Sequence, residues 1–271
     1  MALDGIVVSN IVAELNANLA GARIAKIAQP EADELLLTLK SPNSGQVRLL
    51  LSASASLPLI YFTSVNKPSP VTAPAFCMLL RKRIGGGKIM RVYQPGLERI
   101  IHFEIEHLNE MGDLCRKDLV LELMGKHSNL IFCDDNDTII DSIKRVSAQT
   151  SSVREVLPGR PYFIAQTQEK LDPLSTTEDA FCQSVFSKPM KLAKAIYSSY
   201  TGISPVIAEE LCHRASLESD QSANTIQEMA QLHLYHLFDL MMEDIKQHRY
   251  TPLIVSDCHG DPVEFSSIPL T

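Results

Sequence analysis

The chain is predicted to adopt an α+β fold, and two observations lead there. Strand-like runs at residues 23–29, 34–40 and 46–52, and again between 88 and 142, are separated by hairpin-type turns. Apolar residues take helical spacing before, between and after those runs, without the regular strand–helix alternation of a parallel sheet. An antiparallel meander with flanking helices is the natural product.

The elements follow in order. Residues 4–19 place Ile6, Val7, Ile11, Leu15 and Leu19 on one broad helical face, and Gly21 suits the stop. After the first three strands a fourth run spans 57–63, and the turn at 42–45 is marked by Pro, Asn, Ser and Gly. Pro68, Pro70 and Pro74 mark a loop into a helix at 75–86, with Phe76, Leu79, Leu80 and Ile84 at helical spacing. Its end holds Arg81, Lys82 and Arg83, where cations meet the helix dipole favourably.

Strands are then expected at 89–94, 99–106, 118–124, 129–133 and 138–143, divided by Pro95 and Gly96, the loop 108–113, Gly125 and the acidic run 134–137. A first domain over residues 1–165 is followed by a linker bearing Pro158, Pro161 and Pro173. A second, over 174–271, is helical at 177–186, 188–200, 204–215 and 224–249. Ser204 and Pro205 read as N-cap and first helical position. Runs at 250–256 and 262–268 form a closing hairpin.

Composition narrows the function classes. With 271 residues, 45% hydrophobic and 21% charged, the chain has the length and balance for two globular cores. No apolar run reaches the roughly 18–20 residues that span a bilayer. The N-terminus lacks a basic region followed by an apolar core, so a cytoplasmic protein without a membrane partner is expected. Six scattered cysteines without a C-x-x-C pair argue against a disulfide scaffold or a zinc site, and no metal or cofactor is expected. A net charge of −7 excludes indiscriminate nucleic-acid binding, so any RNA contact must use a local basic patch. Gly125-Lys126-His127-Ser128 follows a strand as a Walker loop would. The spacing fails, because Val120 stands where the first glycine belongs, His127 follows the lysine, and the next residues read as strand rather than helix.

Several strings are more specific than their periodicity. D-G-I-V-V is followed by F-C-M-L-L-R-K-R-I-G-G-G-K-I, Q-P-G-L-E-R-I-I-H-F-E-I, L-E-L-M-G-K-H-S-N-L-I, V-L-P-G-R-P-Y and T-G-I-S-P-V-I-A-E-E-L. In that order and spacing the chain resembles the N-terminal part of the NFACT family, whose members include RqcH, also called fibronectin-binding protein A, and NEMF. The resemblance covers essentially the whole chain. It implies a domain similar to the N-terminal domain of formamidopyrimidine-DNA glycosylases, then a helical domain akin to their helix–two-turn–helix module. It also implies a role in ribosome-associated quality control, in which the whole protein binds a large ribosomal subunit obstructed by peptidyl-tRNA and recruits alanyl-tRNA for alanine tailing.

The family's tRNA-contacting acidic–Arg pair, usually Asp-Arg, matches Glu98 and Arg99, with a carboxylate one methylene longer. Its first-helix acidic residue matches Asp4, which also reads as a plain helix N-cap. A carboxylate accepts from base amines while arginine stacks or forks onto phosphate. Glu98 and Arg99 are expected to straddle the turn after Gly96, since in a strand they would point to opposite faces. RNA-backbone contacts are expected from Arg81, Lys82, Arg83, Lys126, His127, Ser128, Asn129, Lys144 and Arg145, the residue types that usually serve phosphate and sugar. Together these should form one cationic island.

Two other functions compete. The glycosylase reading needs an N-terminal proline amine as nucleophile, but residue two is Ala and residue three Leu. Fold likeness does not supply that group, so no enzyme is expected. The adhesin reading, with fibronectin as partner, comes from the family's older name and predicts export, for which the sequence offers no signal.

Overall fold

The computed structural model describes residues 3–109, 111–165 and 169–271. Ala2 and Glu110 therefore lie outside the described residues. The contacts divide the chain into two compact units: residues 12–93 with 100–167, and residues 1–11, 94–99 and 168–271. Helix α1 (Gly5–Leu19) begins in the second of these and ends in the first.

The first unit is built on one antiparallel sheet. Its strands are β1 (Arg23–Ala28), β2 (Glu34–Ser41), β3 (Gly45–Ser52), β4 (Leu59–Phe62), β5 (Lys88–Tyr93), β6 (Ile100–Leu108), β7 (Leu114–Glu122), β8 (Asn129–Cys133) and β9 (Ile139–Ser142). The order is β4-β3-β2-β1-β5-β6-β7-β8-β9, two meanders joined at β1 and β5. That seam holds a single register pair, Arg23 with Lys88. The glycine run beside it completes the bonding, since Gly86 N–H donates to the Ile24 carbonyl at 2.9 Å and Ile24 N–H to the Gly87 carbonyl at 2.8 Å.

Period-two burial explains the two faces of the sheet. Ile101, Phe103, Ile105, Leu119, Leu121, Leu130 and Phe132 are all buried. Helix α2 (Ala75–Ile84) packs on β1 and β6, burying Phe76, Cys77, Leu80 and Ile84. Ile100, Val120, Ile131 and Cys133 form a separate cluster with Ile139 and Val156, against which Val146, Tyr162 and Ile164 pack. Glu122 is fully buried, ion-paired with Arg154, and accepts from the Tyr162 hydroxyl at 3.1 Å. Burial, and then the Glu122 charge, push the Tyr162 hydroxyl well above its ordinary range.

The second unit contains α3 (Glu178–Phe186), α4 (Leu192–Ser199), α5 (Pro205–Arg214), α6 (Glu228–Lys246) and the hairpin of β10 (Leu253–Ser256) with β11 (Pro262–Ser266). Phe181, Tyr200 and Phe238 form its aromatic centre, with the Phe238 ring 4.8 Å from Phe181 and 5.0 Å from Tyr200. Thr177 caps α3 by accepting from Ala180 N–H, and Ser204 caps α5 by accepting from Ile207 N–H, with Pro205 in the first turn.

Several boundaries differ from those predicted. Strand β7 starts at Leu114 rather than 118, because its polar first half is held by pairing to β6 from Leu108 onward, not by burial. The helix expected at 188–200 starts at Leu192, whose N–H donates to the Gln221 carbonyl. The one expected at 224–249 breaks into a short 3-10 turn (Ala223–Thr225) and α6, where Ile226 turns inward and is buried. Ile6 and Leu97 belong to the helical core, which is why residues 1–11 and 94–99 group with 168–271 rather than with their neighbours in sequence.

Candidate nucleic-acid interface

Three of the recognisable strings meet in the second unit. The turn at residues 94–99 is closed by Glu98 N–H donating to the Pro95 carbonyl at 3.0 Å, and Leu97 at its centre is buried. Gly5 N–H donates to the Gly202 carbonyl at 2.9 Å. The Gln94 amide donates to the Gly5 carbonyl at 2.9 Å and to the Glu98 carbonyl at 2.7 Å. A Cβ on Gly5 would stand 2.1 Å from the Leu97 carbonyl oxygen, and one on Gly202 2.3 Å from the same atom. Gly202 also has φ +77°. Two glycines thus let three backbones converge, and the turn they clamp presents Glu98 and Arg99.

Neither side chain has an internal ligand. Among the described residues the Glu98 carboxylate makes no hydrogen bond or ion pair, although it is half-buried. Burial raises its pKa above the usual carboxylate value, and the nearby charges of Arg99 and Lys170 act against that shift. Arg99 is exposed and likewise unpartnered. An unsatisfied acceptor beside an unsatisfied planar donor suits a ligand with amine and phosphate groups.

Of its two expected roles, Asp4 takes the helix N-cap. One oxygen accepts from Val7 N–H at 2.8 Å, capping α1, and the other accepts from the Ser204 hydroxyl at 2.7 Å. Burial raises its carboxyl pKa despite those bonds. With both oxygens occupied, Asp4 fixes the start of α1 next to Gly5 instead of offering a free contact. Asp4→Ala should lower unfolding free energy by about 1–2 kcal/mol, the usual cost of a lost N-cap. Urea titration with an unchanged m-value is the check, and an effect below the fitting error would remove the cap assignment.

In the first unit the expected basic residues stand on two different elements, α2 and the turn between β7 and β8. Arg81 is exposed and donates to the Ile27 carbonyl at 2.8 Å. With Lys26, Ile24, Ala25, Ile27, Gly85 and Gly86 it lines a groove of about 290 Å³. Lys82 and Arg83 are exposed beside it. Lys126 and His127 are exposed on a 3-10 turn (Gly125–His127) between β7 and β8. The helix end leads into Lys88, paired with Glu106, whose other partner is Arg116; the turn follows Glu122 on that same strand, β7. The six-residue interval from 116 to 122 along β7 puts those two strand positions roughly 20 Å apart.

Four other expected contacts are corrected by burial and bonding. Ser128 and Asn129 are 1% and 2% exposed. The Ser128 hydroxyl accepts from Met124 N–H; the Asn129 amide donates to the Lys144 carbonyl, and its oxygen accepts from Leu130 and Lys144 N–H. The Lys144 ammonium donates to the Ala53 and Ser128 carbonyls. These three hold the turn, and their polar groups are used internally. Arg145 is exposed but forms a two-pronged pair with Asp141, both contacts at 3.0 Å. Lys26 and Lys170 were missed because an isolated lysine carries no local signal. Only pairing across the sheet or along the helical unit shows what they face.

The family model described as NFACT N-terminal and middle domains matches residues 4–271. The Rqc2 homolog RqcH of Bacillus subtilis is 36% identical over 257 residues, covering 94% of this chain and 43% of that protein. The fibrinogen binding protein from Staphylococcus aureus superposes with a TM-score of 0.81 at 29% identity, covering 100% of this chain and 91% of that one. The N-terminal part of the fibronectin/fibrinogen-binding protein from Streptococcus suis gives 0.78 at 28% identity, covering 99% and 91%. The chain thus spans less than half the length of the Bacillus relative. No helix among the described residues is long and apolar enough to cross a membrane. With the family model matched over nearly its full length, the chain belongs to the NFACT family as its N-terminal and middle domains.

Proposed function

We propose that this chain is the tRNA- and ribosome-contacting region of a ribosome quality control factor. The observation that supports it most directly is the Glu98–Arg99 pair, left without internal partners on a turn clamped by Gly5 and Gly202. Relatives named RqcH support the cellular role. In this reading Glu98 accepts from an exposed anticodon base while Arg99 stacks on it or forks onto phosphate. The groups at Arg81–Arg83 and at Lys126–His127 contact RNA backbone. The substrate complex is a large subunit obstructed by peptidyl-tRNA, the recruited molecule is alanyl-tRNA, and the region acts by binding in the cytoplasm without chemistry of its own.

Arg99→Glu should weaken tRNA binding by about 1–3 kcal/mol, roughly tenfold or more, because a favourable contact becomes a repulsive one. Its melting temperature should not move, since Arg99 is exposed and has no internal partner. Filter binding beside calorimetry separates the two. Unfolding that accompanies lost affinity would make Arg99 structural and end this reading. The adhesin reading draws on the solved neighbours described as fibronectin/fibrinogen-binding or fibrinogen binding proteins. It requires the protein outside the cell, and protease treatment of intact cells decides that directly.

A further inference from the structure

Two lysines outside every recognisable string are anchored at the end of α4, and the segment carrying the first reaches the Glu98–Arg99 turn: an Asp172 carboxylate oxygen lies 3.7 Å from where a Cβ on Gly96 would stand. Lys170 donates to the Tyr197 carbonyl at 2.8 Å, and Lys188 donates to the Ser199 hydroxyl at 2.6 Å. Both hang from the C-terminal turn of α4. The chain around Lys170 is fixed there by backbone bonds, with Leu171 N–H donating to the Ser199 carbonyl at 2.8 Å and Thr201 N–H to the Leu171 carbonyl at 3.0 Å.

The bland account of such lysines is helix capping, in which each ammonium satisfies a helix-end group and faces water. It leaves three facts unexplained. Both side chains are half-buried rather than extended into solvent. Neither has a carboxylate within ion-pair distance among the described residues, and each ammonium has two N–H donors left. Lys170 also faces like charge. The pKa of Lys170 is lowered first by burial and then by Arg99, with Lys188 adding to it and Glu98 opposing; burial alone lowers that of Lys188. Asp172 makes no ion pair with either lysine; its oxygens accept from Leu174 N–H and the Ser175 hydroxyl. Arg99 and Lys170 thus stand near a carboxylate that pairs with neither, and Lys188 is anchored at the same helix end.

Desolvated like charges held together without a counter-ion raise the free energy of the empty site, and a bound anion relieves it. We propose that Lys170 and Lys188 hold the backbone phosphate of the nucleotide whose base meets Glu98, making one composite site of four side chains. Glu98 selects the base, Arg99 spans base and phosphate, and the two lysines fix the strand's register. This rests on the reading of Glu98 and Arg99 as an RNA contact. Pre-anchoring each lysine by one hydrogen bond lowers the ordering cost when phosphate binds.

The test uses the intact protein with anticodon stem–loop RNA, measuring affinity across a salt series and melting temperature for each variant. Lys170→Met, which keeps the apolar stem, should weaken binding about tenfold and reduce the slope of log K against log salt by about 0.7, one single-strand phosphate contact. Lys170→Arg should restore both, and Lys188→Gln should act in the same direction without unfolding the protein. Lys194→Gln, exposed on the same helix, removes equal charge and should leave the slope unchanged. If Lys170→Met and Lys188→Gln leave affinity and slope intact while Arg99→Glu still abolishes binding, the phosphate assignment is wrong and the base contact stands. Should all three variants bind normally, the underlying RNA reading falls as well. An equal loss of slope in Lys194→Gln would reduce the effect to bulk charge and also overturn the assignment.

Discussion

Replacing Arg154 by alanine is expected to destabilise the protein by about 3–5 kcal/mol, the cost of leaving a buried charge without its partner. Glu122 is fully buried in the sheet, and the Arg154 side chain is only 10% exposed. Its guanidinium pairs with Glu122 and also donates to the Phe163 carbonyl at 2.6 Å, so it ties the covering segment to β7. Without it, the Tyr162 hydroxyl is the one remaining donor to that carboxylate among the described residues. Paired replacement separates charge from packing: Glu122→Leu with Arg154→Met should recover most of the loss, because a matched apolar pair needs no desolvated ion. Equilibrium denaturation of both variants checks this. A loss below about 1 kcal/mol for Arg154→Ala, the level of an exposed pair, would show that the pair is not buried in solution.

Gly202→Ala should be nearly as costly for a different reason. Its φ of +77° is unfavourable for any residue with a Cβ, worth about 1–2 kcal/mol. The added atom would also stand 2.3 Å from the Leu97 carbonyl oxygen and 3.1 Å from Gly5 Cα, backbone atoms that cannot move aside like a side chain. Overpacking of that kind adds about 1–3 kcal/mol. Gly159→Ala is the control: its φ is +81° and nothing lies within 4 Å of the new Cβ, so it should show the conformational cost alone. If the two variants unfold at the same denaturant concentration, the backbone convergence is looser than the geometry implies. Where Gly202→Ala remains folded, its RNA affinity should fall, because the turn it clamps presents Glu98 and Arg99. Arg99→Glu should instead lose affinity without losing stability, and this contrast distinguishes a positioning residue from a contacting one.

Period and turn chemistry alone located most elements. Alternating apolar runs gave the strands from Arg23 to Ser142, because side chains on a pleated sheet change face at every residue. Ser204 and Pro205 announced α5 through local capping, and Gly96 announced the turn that bears Glu98 and Arg99. The strings D-G-I-V-V, Q-P-G-L-E-R and T-G-I-S-P marked the important positions without showing that Gly5, Leu97 and Gly202 touch.

What needed the tertiary structure was everything set by partners distant in sequence. Pairing with β6 decided that the outward-facing residues 114–117 are strand, and Ile6 and Leu97 joined the helical core across more than eighty residues of sequence. Ser128, Asn129 and Lys144 read as RNA-facing polar residues until the fold buried their groups against one another. The physical reason is common to all of these: local propensity and charge are written residue by residue, whereas burial, desolvation and hydrogen-bond satisfaction belong to pairs that only the folded chain brings together.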